Sequence, residues 1–134
     1  MSEYTIGELA GMAAVNVESI RYYERRGLIQ QPPKPYSGYR RYDEHVLQRV
    51  RFVKRAQSLG FSLEEIAELL ALRVDAHSHC AEVRDHAEAK VADIDSRIES
   101  LAGMKRTLQG LIRSCSRRTP TDICPILNSL ESEP

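Results

Sequence analysis

The sequence predicts a mainly α-helical protein, with a winged helix-turn-helix head, a long antiparallel coiled-coil dimerisation helix and a short C-terminal loop and helix. Two short helices joined by a tight turn open the chain, as in a helix-turn-helix. Cys80 and Cys115 then stand 35 residues apart, which is five heptads, and apolar residues recur at their heptad position. All six tyrosines precede residue 43, so we expect no second core in the back half.

These observations divide the 134 residues into three expected segments. Residues 1–75 form the head, residues 76–114 the connector and dimerisation helix, and residues 115–134 a metal-binding loop with a short helix. Formal charge is zero overall, but residues 1–60 carry ten Lys and Arg against six Asp and Glu, a net charge of +4. A basic head favours a polyanionic partner, although ordinary surface charge explains the same excess.

The first two helices are bounded by capping residues. Thr5 begins a capping box at the start of the first helix, which ends near Gly11. Asn16 can cap the second helix, which runs to Arg26 and stops at Gly27. The inward side of this pair consists of Val17, Ile20 and Leu28.

The next segment predicts a small wing and two more helices. Three prolines between residues 32 and 35 exclude further helix, and Tyr36–Tyr39 has a two-residue turn between aromatic residues, which predicts a hairpin. Asp43 can cap a third helix that ends at Gly60, and Ser62 opens a fourth that runs to about Leu72. The apolar side of the third helix is Leu47, Val50, Val53 and Ala56.

The long helix is expected to run from about Cys80 to Ser114, after a connector of residues 73–79. Its apolar seam shares a heptad position with the cysteines and consists of Ala87, Ile94, Leu101 and Leu108. At about 1.5 Å per residue the thiols of Cys80 and Cys115 are roughly 52 Å apart, too far for a disulfide or a shared metal within one helix. Residues 119–122 end the helix, and Cys124 opens a short C-terminal helix.

The cysteines predict metal sites that two chains share. If the seam pairs with an antiparallel copy, Cys80 of one chain meets the partner's Cys115, and the partner's Cys124 follows nine residues later. Three thiolates favour a soft metal. A lone seam cysteine is more often a small buried hydrophobe, and His77 and His79 are either additional ligands or exposed connector residues.

Basic and aromatic residues in the head predict a DNA-binding surface. The second helix of a helix-turn-helix enters the major groove, and the wing and third helix extend the contact. Arginines neutralise phosphates, and tyrosines fix the position of the sugar-phosphate backbone. The alternative is a solvated arginine-rich face whose tyrosines pack a small core. The expected DNA contacts are Ser19, Arg21, Tyr23, Tyr36, Tyr39, Arg40, Arg41 and Lys54.

Several classes of protein are excluded by what the sequence lacks. The N-terminus has no basic region followed by a long apolar run, so we expect no signal peptide and no membrane span. Three cysteines without a pairing pattern argue against a secreted disulfide framework and favour a reducing cytoplasm. We expect no enzyme, because the sequence has no glycine-rich phosphate loop, no paired catalytic carboxylates and no nucleophile–base arrangement.

Four motifs resemble the MerR family of transcription regulators, and the resemblance covers nearly the whole chain. They are Tyr4–Ala10, Val17–Ile29, Gly38–Tyr42 and Gly60–Ile66. The resemblance implies a winged helix-turn-helix head, an antiparallel two-helix homodimer and an effector site at the helix ends.

The cysteine spacing is similar to that of the mercury-responsive branch of this family. That resemblance implies one Hg(II) bound by Cys80 of one chain together with the partner's Cys115 and the partner's Cys124. Lead- and cadmium-responsive branches share a three-cysteine layout and stay open as alternatives. A thiol protein that buffers metal and has incidental DNA affinity is a further alternative.

The resemblance also implies a mechanism of control. Such dimers bind a dyad between two promoter elements whose spacer is too long, and they repress when no metal is bound. With Hg(II) they stay bound and underwind and bend the DNA, so that RNA polymerase engages both elements, which is control by DNA deformation. The expected function is therefore regulation of a mercury-resistance operon.

Overall fold

The computed structural model describes residues 3–36 and 38–132, which are mainly helical. The chain forms two compact units, Met1–Ala87 and Glu88–Pro134, and the longest helix contributes residues to both. In chain order the elements are β1 (Glu3–Tyr4), α1 (Ile6–Ala13), α2 (Val17–Arg25), β2 (Tyr42–Asp43), α3 (Glu44–Ser58), α4 (Leu63–Val74), α5 (Cys80–Ser114), a 3-10 turn (Thr121–Ile123) and α6 (Pro125–Glu131).

The first four helices begin where the sequence predicts, because a local cap fixes each start. Thr5 Oγ1 accepts a hydrogen bond from the Glu8 N–H, and the Glu8 carboxylate accepts one from the Thr5 N–H. Asn16 and Asp43 cap α2 and α3 with their side-chain oxygens, and Ser62 opens α4 with a second capping box. Each cap contributes about 1 kcal/mol to helix stability.

Helix ends depart from the prediction by one or two residues. α1 continues past Gly11 to Ala13, and α4 continues past Leu72 to Val74. α2 ends close to its predicted stop, and Gly27 takes the left-handed φ of +74° that ends the helical path there. These departures move no apolar residue out of the core.

The core of the first unit is built from one side of each of its first four helices. α3 contributes Leu47, Val50 and Val53, which are fully buried, as their spacing predicts. Burying each aliphatic side chain contributes about 1.5–3 kcal/mol, so this core holds α2 in place and leaves its other side to solvent. The other core residues are Leu9, Ala10, Ala13, Ile20, Tyr23, Leu28, Ile29, Tyr42, Ala56, Ile66 and Leu70.

The wing differs from the predicted hairpin. The described residues between α2 and β2 contain no strand, and the two-stranded antiparallel sheet instead pairs Glu3 with Asp43 and Tyr4 with Tyr42. Prolines cannot donate ladder hydrogen bonds, so this proline-rich segment does not pair with itself. The predicted hairpin turn includes Ser37, which lies outside the described residues. In residues 30–36 and 38–41 the wing is thus a loop, with β2 at its end and β1 pairing with β2.

The second unit contains most of the dimerisation helix. α5 is one continuous helix of 35 residues, as predicted, and α6 follows the 3-10 turn. An exposed run of large apolar side chains follows one stripe of α5, which favours coverage by another protein surface. The stripe consists of Val91, Ile94, Ile98, Leu101, Met104, Leu108 and Ile112. None of the described helices combines the length and the apolar character needed to cross a membrane.

Candidate nucleic-acid interface and thiol sites

The outer face of α2 presents a pair of opposite charges to solvent. Arg21 Nη1 lies 3.1 Å from Glu18 Oε1, one helical turn earlier, and both side chains are more than half exposed. An exposed pair of this kind contributes little to stability, so the guanidinium can exchange its carboxylate partner for a phosphate at small cost. Arg21 is therefore placed as the sequence predicts, on the open side of the second helix.

Tyr22 organises two further guanidinium groups on this face. The Arg25 and Arg26 guanidinium carbons lie 5.7 Å and 5.8 Å from the centre of its ring, and Arg26 Nη1 donates to its hydroxyl at 3.1 Å. Cation–π contacts hold both arginines at the surface. The DNA contacts expected from the sequence do not include Tyr22, although the spacing of four residues between Tyr22 and Arg26 signals a contact on one helix face.

Tyr23 lies inside the core, which corrects its assignment as a DNA contact. Only 5 % of the residue is exposed, and its hydroxyl donates to Gln57 Oε1 on α3 at 2.7 Å. Burial raises the pKa of its phenol above the usual value. Consecutive helix residues point about 100° apart, so only one of two adjacent tyrosines can face outward, and that one is Tyr22.

α2 and the wing enclose an open cleft of about 470 Å³ that brings three predicted contacts together. Arg21, Tyr39 and Arg40 line it from opposite sides, joined by Arg25 from α2. Several cationic side chains around one opening suit a phosphate backbone. The other lining residues are Thr5, Ile6, Glu24, Gln31 and Tyr42.

A hydrogen bond between two lining residues joins the two sides of this cleft. The Tyr42 hydroxyl donates to Glu24 Oε2 at 3.1 Å. Burial, and then the neighbouring Glu24 carboxylate, raise the pKa of Tyr42 to about 12. The bond joins α2 to β2 and so keeps the basic residues of α2 beside those of the wing.

The wing presents its predicted contacts at the surface. Tyr36 and Tyr39 are both strongly exposed. Arg40 is half-buried, and its Nε donates to the Pro32 carbonyl at 3.1 Å, which ties the end of the loop to its beginning. Arg41 is about half exposed, with Nη1 3.9 Å from Glu8 Oε1. The wing therefore offers two open aromatic rings and one loosely held guanidinium to a partner.

Two other predicted contacts are engaged within the protein. Lys54 Nζ donates to the carbonyls of Ala14 at 2.6 Å and Ala13 at 3.4 Å, at the end of α1. The exposed ammonium keeps a third N–H beside these two bonds, so a contact between Lys54 and DNA stays a prediction. The Ser19 hydroxyl donates to Asn16 Oδ1 at 3.0 Å, so its hydrogen serves the start of α2, and only its lone pairs remain for a partner.

The three cysteines occupy helix ends, and each is a free thiol. Cys80 is the first residue of α5 and is exposed, whereas Cys115 follows the last residue of α5 and Cys124 is the N-cap of α6. Cys115 and Cys124 are partly buried. Among residues 3–36 and 38–132, a single chain brings together no group of three His, Cys, Asp or Glu side chains that could hold a metal.

The histidines ahead of Cys80 lie in the short connector between α4 and α5. The His77 N–H donates to Asp75 Oδ1 at 2.9 Å, which closes a local turn. His77 is exposed in this single chain. A different histidine, His86, places Nδ1 3.6 Å from Glu68 Oε2 and so links α5 to α4 within the first unit.

Comparison with known proteins agrees with this architecture. The family model described as "MerR HTH family regulatory protein" matches residues 4–72, and the one described as "MerR, DNA binding" matches residues 47–111. A mercuric resistance operon regulatory protein of Serratia marcescens is 47 % identical over 133 residues, covering 99 % of this chain and 91 % of the relative.

Two solved structures are similar to the protein over nearly their whole length. The lead(II) complex of the transcription regulator PbrR691 from Ralstonia metallidurans CH34 has a TM-score of 0.83 and 38 % identity, and covers 95 % of this chain and 98 % of its own. The mercury(II) complex of MerR from Bacillus megaterium MB1 has a TM-score of 0.74 and 38 % identity, and covers 96 % and 100 %.

Fold, family models and relatives lead to one conclusion. The first unit has the helix-turn-helix that the family models describe, and the relatives named above are regulators of transcription, not enzymes. The chain belongs to the MerR family of helix-turn-helix, DNA-binding regulatory proteins.

Proposed function

We propose that this protein is a homodimeric, mercury-responsive regulator that binds promoter DNA and controls genes of mercury resistance. The observation that carries the proposal is the placement of three free thiols at the two ends of α5 and the start of α6. The 47 % identical relative, which its name makes a regulator of a mercuric resistance operon, supports the choice of Hg(II) as effector. Thiols remain reduced in the cytoplasm, where we place the protein together with its promoter.

Each segment of the chain has its own task in this proposal. Residues 1–75 bind DNA through the outer face of α2 and the wing. Residues 76–114 pair the two protomers. Residues 115–134 supply the loop and short helix that complete the metal site. This division differs from the two compact units because α5 itself crosses the boundary between Ala87 and Glu88.

The dimer forms through the exposed apolar stripe of α5. Antiparallel pairing of two copies covers Ile94, Leu101 and Leu108, and burying each such side chain contributes about 1.5–3 kcal/mol. The pairing also brings the start of each helix to the end of the other. Cys80 of one protomer then meets the partner's Cys115 and the partner's Cys124, which makes two equivalent sites in each dimer.

The side chains at these sites suit a soft metal ion. Three cysteine sulfurs make a soft ligand set, and soft ligands select soft metals over Mg²⁺ or Ca²⁺. None of the thiols is sealed in the core, because Cys80 is exposed and the other two are partly buried. Arg117 and Arg118 add positive charge to the loop between Cys115 and Cys124, which disfavours a second cation there.

Metal binding changes the shape of the promoter rather than the number of DNA contacts. Cys80 belongs to the same compact unit as the basic face of α2, so tying it to the partner's helix end reorients that unit. A small rotation of the two heads alters twist and bend, whose elastic cost is of the order of 1–6 kcal/mol. RNA polymerase then engages a promoter that the metal-free dimer holds in an unproductive form.

A lead-responsive regulator is the second candidate. The lead(II)-bound transcription regulator with a TM-score of 0.83 is the observation that favours it. Both candidates use the same thiols and the same DNA surface, so they differ only in the ion that binds most tightly.

A competition titration distinguishes the two candidates. The full-length dimer is titrated with Hg(II), Pb(II), Cd(II) and Zn(II) in a buffer that contains a competing small thiol, and sulfur-to-metal charge-transfer absorption reports occupancy. We expect Hg(II) to displace each of the other ions and to bind about once per pair of helix ends. Retention of Pb(II) in the presence of equimolar Hg(II) would replace mercury by lead as the effector.

A further inference from the structure

The end of α1 is closed by a Schellman motif whose left-handed residue is an alanine. The Ala14 N–H donates to the Gly11 carbonyl at 3.2 Å, and the Val15 N–H donates to the Ala10 carbonyl at 3.0 Å. Ala14 takes φ 55° and ψ 44°, and among the described residues it is the one non-glycine with positive φ. Glycine is the usual residue at this position because a Cβ disfavours it.

Two cationic side chains of α3 donate hydrogen bonds to the three carbonyls at the end of α1 that the Schellman motif does not use. The motif serves the carbonyls of Ala10 and Gly11, and the next three along the chain belong to Met12, Ala13 and Ala14. Arg51 Nη2 donates to the first of these at 3.4 Å. Lys54 Nζ donates to the second at 3.4 Å and to the third at 2.6 Å. Positive charge at a helix C-terminus also interacts favourably with the helix dipole.

The turn that these cations hold sets the direction of α2. Only Val15 and Asn16 separate Ala14 from the first residue of α2, and Asn16 already acts as the N-cap of that helix. A change in the backbone of Ala14 therefore rotates α2, with its outward Arg21, against the rest of the head. The strained conformation persists only where its surroundings fix it.

We propose that Lys54 is a positioning residue for DNA binding, which holds Ala14 in its left-handed conformation and so fixes the helix-turn-helix. The inference rests on the DNA-binding role of the head. Lys54 contributes to operator affinity through the geometry of α2, without touching a phosphate itself. Its short bond to the Ala14 carbonyl and its second bond to Ala13 are the contacts that carry this role.

A direct phosphate contact makes a different prediction for the same lysine. Removing one phosphate contact lowers the slope of log affinity against log salt concentration by about 0.9. Removing a positioning residue weakens binding while leaving that slope unchanged, because the number of released counterions is the same. Glycine at position 14 also separates the two roles, since it favours the left-handed conformation without help from Lys54.

The test measures operator binding by Lys54→Met, Lys54→Arg, Ala14→Gly and the Lys54→Met/Ala14→Gly double variant, all as full-length dimers. The probe is a duplex selected from random-sequence DNA by the wild-type protein, so a failed selection counts against the proposed function and not against Lys54. We expect Lys54→Met to bind about fivefold to tenfold more weakly with an unchanged salt slope. Lys54→Arg and the double variant should recover most of the missing affinity.

A matched control places the second glycine in the helical part of the same segment. Met12→Gly in the Lys54→Met background lies two residues before Ala14 and should restore no affinity, because its backbone has no positive φ to relieve. Thermal unfolding of every variant confirms that the binding temperature lies well below the transition. A salt slope reduced by about one, no rescue by Ala14→Gly, or wild-type affinity in Lys54→Met each overturns the proposal.

Discussion

The Tyr23 hydroxyl donates to Gln57 Oε1 at 2.7 Å, and this bond ties α2 to α3 at the residue next to the exposed Tyr22. The following residue, Glu24, accepts a hydrogen bond from the Tyr42 hydroxyl and so ties α2 to β2. Two consecutive residues therefore fasten α2 to its neighbours, while Arg21, Tyr22, Arg25 and Arg26 around them are exposed. Because Tyr23 is buried and the adjacent Tyr22 is exposed, substitutions of the two residues should have contrasting effects.

Tyr23→Phe should lower stability without removing a DNA contact. The substitution keeps the ring but leaves Gln57 Oε1 without its donor, which we expect to lower the free energy of unfolding by about 0.5–1.5 kcal/mol. Urea denaturation of the full-length dimer measures the change at fixed protein concentration. Operator affinity of the folded variant should match the wild type, and a large drop in affinity at full folding would return Tyr23 to the DNA surface.

Tyr22→Ala should have the opposite pattern. Its ring holds the Arg25 and Arg26 guanidinium groups by interactions worth about 0.5–1 kcal/mol each at an exposed site, so removing the ring weakens operator binding by a fewfold. Fluorescence anisotropy of a labelled operator duplex measures the effect. Stability should change little, because the residue is 40 % exposed. Normal DNA binding together with a large decrease in stability would assign Tyr22 to the core.

Stability should decline in alkaline solution as Tyr42 ionises. Its pKa is raised to about 12 in the folded protein, against 10.0 as the ordinary value. The raised pKa stabilises the folded protein fully below about pH 10, where Tyr42 is neutral in both states. This stabilisation is lost between about pH 10 and 12, because the phenol ionises first in the unfolded chain. Urea midpoints measured across this range should fall more steeply in the wild type than in Tyr42→Phe. An equal decline of the urea midpoint in the two proteins would show that ionisation of the buried phenol does not cause the loss of stability.

Substitutions of two cleft residues should differ in how they change the salt dependence of operator binding. Arg21→Ala removes a guanidinium from the helix that we expect in the major groove, where loss of a hydrogen bond to a base edge would cost about 1–3 kcal/mol and relax sequence specificity. Arg40→Ala in the wing should weaken binding to all sequences alike and lower the salt slope by about 0.9. Competition with scrambled duplexes at several salt concentrations separates the two effects. An Arg40→Ala variant that is neutral at every salt concentration would remove the wing from the interface.

Local signals were sufficient to predict most of the fold. Thr5, Asn16, Asp43 and Ser62 fix their helix starts through residues only three positions away, so each cap is visible in the sequence alone. The spacing of apolar residues likewise identified the buried side of α3 and the limits of α5. Features that depend on residues close together in the chain can be predicted from the sequence alone.

Features that depend on residues far apart in the chain could not be predicted from the sequence. The wing hairpin was expected from a turn signal, yet β2 pairs with β1 about 40 positions earlier in the chain. Lys54 was expected at DNA because its charge lies on a basic helix, and the acceptors that it has within the chain, Ala13 and Ala14, are also about 40 positions away. Tyr23 was expected at the DNA surface, yet it is buried, because a rotation of one helix position decides which of two adjacent tyrosines faces the core.

The most direct test of the account is metal binding by a mixed dimer of Cys80→Ala and Cys115→Ala chains. Each homodimer lacks a ligand at both sites and should lose tight Hg(II) binding. The mixed dimer retains one complete site, because one chain supplies Cys80 and the other supplies Cys115 and Cys124. We therefore predict one tightly bound Hg(II) per mixed dimer in thiol-buffered titration. Binding no tighter than that of either homodimer would contradict a thiolate site shared between the two chains.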